Sequence, residues 1–154
     1  MNVRGEITVK APRAAVFEKL RDAPFFASCV EGVRDLLVVD ERHYTAVMET
    51  RVAYMKFTFK VTVELVEAVP PERIEARIEG TPLGIVGRLN AASRTSLSEA
   101  GDETRIAYAV DVSLTGKLGS LGAPVLKSKA REMERLFAAN LQRAFAPASA
   151  EAAP

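Results

Sequence analysis

The sequence predicts an α+β domain: a curved antiparallel sheet of about seven strands around a long C-terminal helix, with two short helices after strand 1. Three observations carry this. Leu118, Leu121, Val125, Leu126, Ala130, Met133, Phe137, Leu141 and Phe145 recur mostly at steps of three and four across Gly116 to Phe145, the apolar stripe of an amphipathic helix. Nearly everything before that stretch alternates apolar and polar with a period of two, as strands do when one face meets a core and the other meets water. The connections are short, which suits antiparallel neighbours, and the few helical patterns are separate from the strand run.

The elements follow in order. Val3, Gly5, Ile7 and Val9 alternate with Arg4, Glu6, Thr8 and Lys10, a half-buried first strand. Ala11-Pro12 stops it, and Pro12 suits the first turn of a helix. That helix, Arg13 to Arg21, buries Val16, Phe17 and Leu20, and Asp22-Ala23-Pro24 breaks it. Phe25 to Val30 is a second short helix, ended by Glu31-Gly32. Val33 to Asp40 and His43 to Ala53 form strands around a Glu41-Arg42 turn, with Ala46, Met48, Thr50 and Val52 on one face. Met55 to Val66 alternates most cleanly, Phe57, Phe59, Val61, Val63 and Leu65 pointing one way. Val69-Pro70-Pro71 forces a loop. Ile74, Ala76 and Ile78 share the next inward face, and Gly80 to Gly84 breaks the ladder. Ile85, Gly87, Leu89, Ala91 and Leu97, then Ile106, Tyr108, Val110, Val112 and Leu114, supply the last two strands.

At 154 residues the chain is long enough for one well-buried core. Residues 1–146 read as a single domain and 147–154 as an Ala/Pro-rich, disordered tail. The 21 Lys+Arg and 20 Asp+Glu leave a net charge of +1. No block of like charge argues for nucleic acid. The single cysteine excludes an internal disulfide and fits a reducing cytoplasm. No run of about 18 apolar residues is present to span a membrane.

No catalytic constellation emerges. His43 is the only histidine and has no ligand-spaced partner. Cys29, on an apolar turn, reads as a buried, inert thiol. Glu49, Glu64, Glu75, Glu79 and Asp111 fall on the polar strand faces, leaving the inward faces almost uncharged. Those faces are instead rich in Met and Phe, with Tyr54 and Tyr108. Adaptable methionines suit either a core or a cavity for an apolar ligand. Gly119, Gly122 and Pro124 weaken the start of the long helix, and Phe25-Phe26 opposite it would form a mouth.

These residues carry a family likeness. Gly5-Glu6-Ile7-Thr8-Val9-Lys10-Ala11-Pro12-Arg13, Cys29-Val30-Glu31-Gly32, Glu103-Thr104-Arg105-Ile106-Ala107-Tyr108 and Gly116-Lys117-Leu118-Gly119-Ser120-Leu121-Gly122 resemble the family of CoxG, a component of carbon monoxide dehydrogenase systems, within the START-like, SRPBCC or helix-grip superfamily. The chain departs from the family pattern with Glu31 where Pro is usual and without a Gly near Ala53-Tyr54. The resemblance implies a sheet gripping the terminal helix with an apolar tunnel between. It implies a non-enzymatic accessory that needs no cofactor beyond a bound quinone or lipid. The implied partner is a molybdenum-containing carbon monoxide dehydrogenase or related hydroxylase. The implied place is the cytoplasm, peripheral to the inner face of the membrane; with the chain stopping soon after Phe145, membrane contact would be transient. The expected ligand lining is Phe25, Phe26, Met48, Met55, Phe57, Phe59, Ile78, Ile85, Leu89, Tyr108, Leu121, Val125 and Met133, with Tyr108 as inward hydrogen-bond donor. The contrasting expectations are a polyketide cyclase or aromatase-like enzyme on the same fold, and a ligand-free interaction module.

Overall fold

A computed structural model describes residues 1–145; the expected tail, 147–154, lies outside them. The elements are β1 (Asn2–Val9), α1 (Arg13–Arg21), α2 (Ala23–Cys29), β2 (Val33–Val38), β3 (His43–Val52), β4 (Met55–Val69), β5 (Arg73–Pro82), β6 (Gly87–Ala100), β7 (Glu103–Gly116) and α3 (Ala123–Ala144). All seven strands form one antiparallel sheet in the order β1-β7-β6-β5-β4-β3-β2. Only β1 is out of sequence order, so α1 and α2 carry the chain from one sheet edge to the other. The expected α+β architecture is the observed one.

Register puts every predicted apolar set on one face. Ile7 pairs with Ile106, Ile106 with Leu97, and Ile74 with Thr95. At the other end Met48 pairs with Phe59, and Phe59 with Pro82. Because the strand period is two, this fixes which side chains face α3.

Three short devices hold the helical layer. The Asp22 carboxylate accepts from the Phe25 N–H and caps α2 directly after α1 ends. Fully buried Thr104 donates its hydroxyl to the Ala11 carbonyl at 2.7 Å, tying β7 to the β1–α1 corner. Asn140 and Gln142 of α3 donate side-chain N–H groups to the carbonyls of Cys29 and Thr8, both at 3.0 Å.

The long helix starts later than the apolar stripe suggests. Gly116 and Gly122 both take positive φ, and a 3-10 turn at Gly119–Leu121 lies between them. α3 begins at Ala123 with Pro124 in its first turn, the position where a missing N–H leaves no hydrogen bond unmade. Leu118, read from the sequence as the first residue of the helical stripe, is buried as part of the connection instead.

Candidate functional site

Two packed clusters clasp the ends of α3. One gathers Ile7, Val9, Val16, Phe17, Leu97, Ile106 and Leu141, with Phe26, Tyr108 and Phe137 packed on it. The other gathers Val52, Phe57, Phe59 and Leu118, with Met48, Ile85, Leu121 and Val125 on it. Correspondingly, the strands that the α3 backbone approaches most closely are β1 and β3. Between the clusters, Val63, Ile78, Leu89, Val110 and Val112 of the inner face remain only partly buried, as do Ala130 and Met133 of the helix. In a filled core they would resemble Ile106, at 3% exposure. The helix grips at two ends and leaves accessible apolar surface between.

The polar groups on that inner face are few. Tyr44, Thr50, Ser93, Thr95 and Tyr108 share it by register, and burial pushes the Tyr44 phenol up to about 12. Tyr108 pairs with Gly5 across β1 and β7, and its ring lies over that glycine. Any Cβ at Gly5 would overlap the phenol. The Tyr108 hydroxyl is buried and makes no well-aligned hydrogen bond. Burial raises its pKa, and the neighbouring Glu134 carboxylate, which favours the protonated phenol, raises it further. An oriented phenol beside a carboxylate, facing apolar surface, can donate to a ligand oxygen.

The predicted lining divides by position. Ile78, Leu89, Tyr108 and Met133 border the space between the clusters. Met48, Ile85, Leu121 and Val125 are partly buried against the second cluster, and Phe57 and Phe59 are packed within it, their ring centroids 6.2 Å apart. Met55 is 44% exposed at the β3–β4 hairpin end, and Tyr54, expected inward, is 90% exposed at its tip. Phe25 and Phe26 do not form a mouth with the start of α3. Phe25 packs edge-on to Phe145 and Phe26 tilts onto Phe137, so both close the opposite end. The reason is α2, which Asn140 holds to the C-terminal half of α3.

Two charged helix residues turn inward, against the expectation of polar positions filling only the outer side. Glu134 is partly buried beside Tyr108, and the Lys129 side chain is only 18% exposed. Spacing could have found them. Glu134 stands four residues from both Ala130 and Ala138, and Lys129 stands four from Val125 and Met133. Lys129 borders a groove of about 480 Å³ between the first turns of α3 and the end of β3, with Arg51, Ala53, Pro124, Val125, Ser128 and Glu132.

Elsewhere, burial pushes the Cys29 thiol up and keeps it protonated. Among the described residues no three His, Cys, Asp or Glu side chains cluster to hold a metal, and no helix is long and apolar enough to cross a membrane. His43 stands in an ion-pair turn, Nδ1 2.8 Å from Asp40 and Nε2 3.5 Å from Glu64. The hydrogen bond to Asp40 raises the imidazole pKa, while the Arg42 N–H and then His43 lower that of Asp40. A raised histidine stabilises the fold below its unfolded pKa of about 6.5, and the contribution disappears as pH rises through the folded value. An NMR titration is expected to place the His43 midpoint above that of an unfolded peptide. Asp40→Asn should move it down; an unchanged midpoint removes the pairing.

The family model for CoxG, a protein of carbon monoxide dehydrogenase, matches residues 5–146. A conserved protein from Geobacillus kaustophilus has a similar structure, with a TM-score of 0.86, 23% identity and 95% of each chain covered. A START superfamily protein from Mycobacterium smegmatis aligns with a TM-score of 0.72 and 13% identity, over 94% of this chain and 96% of that one. The Zhui aromatase/cyclase from Streptomyces sp. R1128 aligns at 0.66 and 18%, over 92% and 91%. At these identities the structures establish the START-like fold alone. Comparison with curated proteins finds no match.

Proposed function

The chain belongs to the CoxG family of carbon monoxide dehydrogenase, and from that premise we propose that it is a non-enzymatic carrier of a lipophilic molecule, a quinone or a lipid. The observation that carries this reading is the partly exposed apolar surface of Ile78, Leu89 and Met133 between two fully packed ends. Burying such surface against a hydrocarbon ligand is favourable at about 25 cal/mol per Å². Tyr108 supplies the polar contact, donating its hydroxyl to a ligand carbonyl. The family name supports a molybdenum-containing carbon monoxide dehydrogenase, or a related hydroxylase, as the enzyme it serves.

Native mass spectrometry of gently purified protein tests the carrier reading: a bound lipid or quinone is expected, and its absence counts against it. Tyr108→Phe is expected to weaken a short-tailed quinone about five- to tenfold, the worth of one hydrogen bond, while a purely hydrocarbon probe binds as before. Equal weakening of both would remove the donor role.

Glu134 beside Tyr108 favours a second reading, a cyclase-like enzyme. A carboxylate and a phenol can move a proton on a bound polyketone. Turnover of such a compound, lost in Glu134→Gln with binding retained, would select this reading over the first.

A further inference from the structure

Three segments distant in sequence meet at one end of the sheet. They are residues 51–58 at the β3–β4 hairpin, 81–90 at the β5–β6 loop and 115–129 leading into α3. Leu83 N–H donates to the Thr58 carbonyl at 2.8 Å and Lys117 N–H to the Val86 carbonyl at 3.1 Å. Gly87 pairs with Gly116 in the sheet. The three contain Arg51, Lys56, Arg88, Lys117, Lys127 and Lys129, and none of the chain's 20 carboxylates. Glu49 neutralises Lys56 at 3.4 Å and Glu132 neutralises Lys129 at 3.4 Å. Arg51, Arg88, Lys117 and Lys127 make no ion pair among the described residues.

The same end exposes large apolar side chains at its outermost points: Tyr54 at 90%, Val86 at 81%, Leu83 at 50% and Met55. Each stands within a few residues of a cation. A chain of net charge +1 thus has one basic end whose tips are hydrocarbon.

We propose that this end docks on an anionic lipid bilayer, with Tyr54, Met55, Leu83 and Val86 entering the headgroup layer and the cations meeting lipid phosphates and carboxylates. Charge complementarity favours an anionic surface, and the apolar tips favour one that accepts hydrocarbon. A nucleic acid duplex would offer the cations phosphates but leave Leu83 and Val86 against polar groove edges. The groove holding Arg51, Val125 and Lys129 belongs to this end, so an apolar ligand would exchange with the bilayer beside it. That consequence rests on the carrier reading; the docking does not.

Sedimentation with vesicles of phosphatidylcholine, with and without phosphatidylserine and free of quinone, tests it. The full chain is expected to bind the anionic vesicles and not the neutral ones, with binding falling as salt rises. Tyr54→Ser with Val86→Ser, and separately Lys117→Glu with Lys127→Glu, should each weaken binding about tenfold. Lys10→Glu with Arg42→Glu, on other surfaces, should behave nearly as wild type. No sedimentation with anionic vesicles overturns the proposal. So does equal loss in the Lys10/Arg42 variant, or binding insensitive to Tyr54 and Val86, which would mark a polyanion site. A negative vesicle result leaves the carrier reading intact, and a ligand-free mass spectrum leaves the docking intact.

Discussion

Leu141→Ala is expected to lower stability by about 2–5 kcal/mol, among the largest losses any single side chain in α3 can cause. Leu141 is 0% exposed and packs in the cluster with Ile7, Val9, Phe17 and Ile106. Removing its branched end leaves a cavity that two strands and a helix cannot collapse around, so the lost contacts add to the lost burial. Met133→Ala, two turns earlier on the same helix, should cost only about 1 kcal/mol. Met133 is partly exposed, and its flexible chain fills no enclosed hole. Urea denaturation of both variants reads the contrast directly as a shift in midpoint at constant slope. Equal losses would mean that the helix packs along its whole length and that the space between the clusters is filled.

The division between anchor and gap was partly legible in the sequence. Period-two alternation placed Phe59, Ile78, Leu89 and Tyr108 on the inner face, and the observed register agrees. A strand's face needs only parity. The helix was harder. Its stripe ran without a break through Leu118 and Leu121, and only the backbone at Gly116 and Gly122, both at positive φ, shows that these residues precede α3. The placement of Phe25 and Phe26 depends on Asn140 reaching the Cys29 carbonyl, 111 residues away, which no local pattern encodes. Glu134 and Lys129 were read as outward because charge usually is. A partly filled interior tolerates them since their polar ends retain partners, Tyr108 for one and Glu132 for the other. The basic end was invisible for a different reason. Its six cations are scattered over three segments, and only the sheet gathers them.

Ile78→Trp should separate a gap from a core more decisively than any truncation. Adding an indole to a packed interior forces off-rotamer side chains and backbone shifts, typically about 1–3 kcal/mol of destabilisation or more. Ile106→Trp, in the fully buried cluster, is expected to show that cost. At Ile78 the surroundings are Val63 and Ala91 on neighbouring strands, the first only partly buried, with the half-covered middle of α3 above. There the larger ring fills accessible space, and the additional apolar contact offsets what strain arises, so the melting temperature should hold or rise. The ring occupies the volume a ligand's tail would take. Affinity for an apolar fluorescent probe is therefore expected to fall about tenfold or more, in a protein no less stable than the parent. Loss of stability matching that of Ile106→Trp would show that the two positions are packed alike. Unchanged probe affinity with retained stability would place the ligand elsewhere, and the groove beside Lys129 would be the next position to fill. Because the indole is the chain's only tryptophan, its emission also reports directly: a shift to the blue on ligand addition would place the ligand beside residue 78.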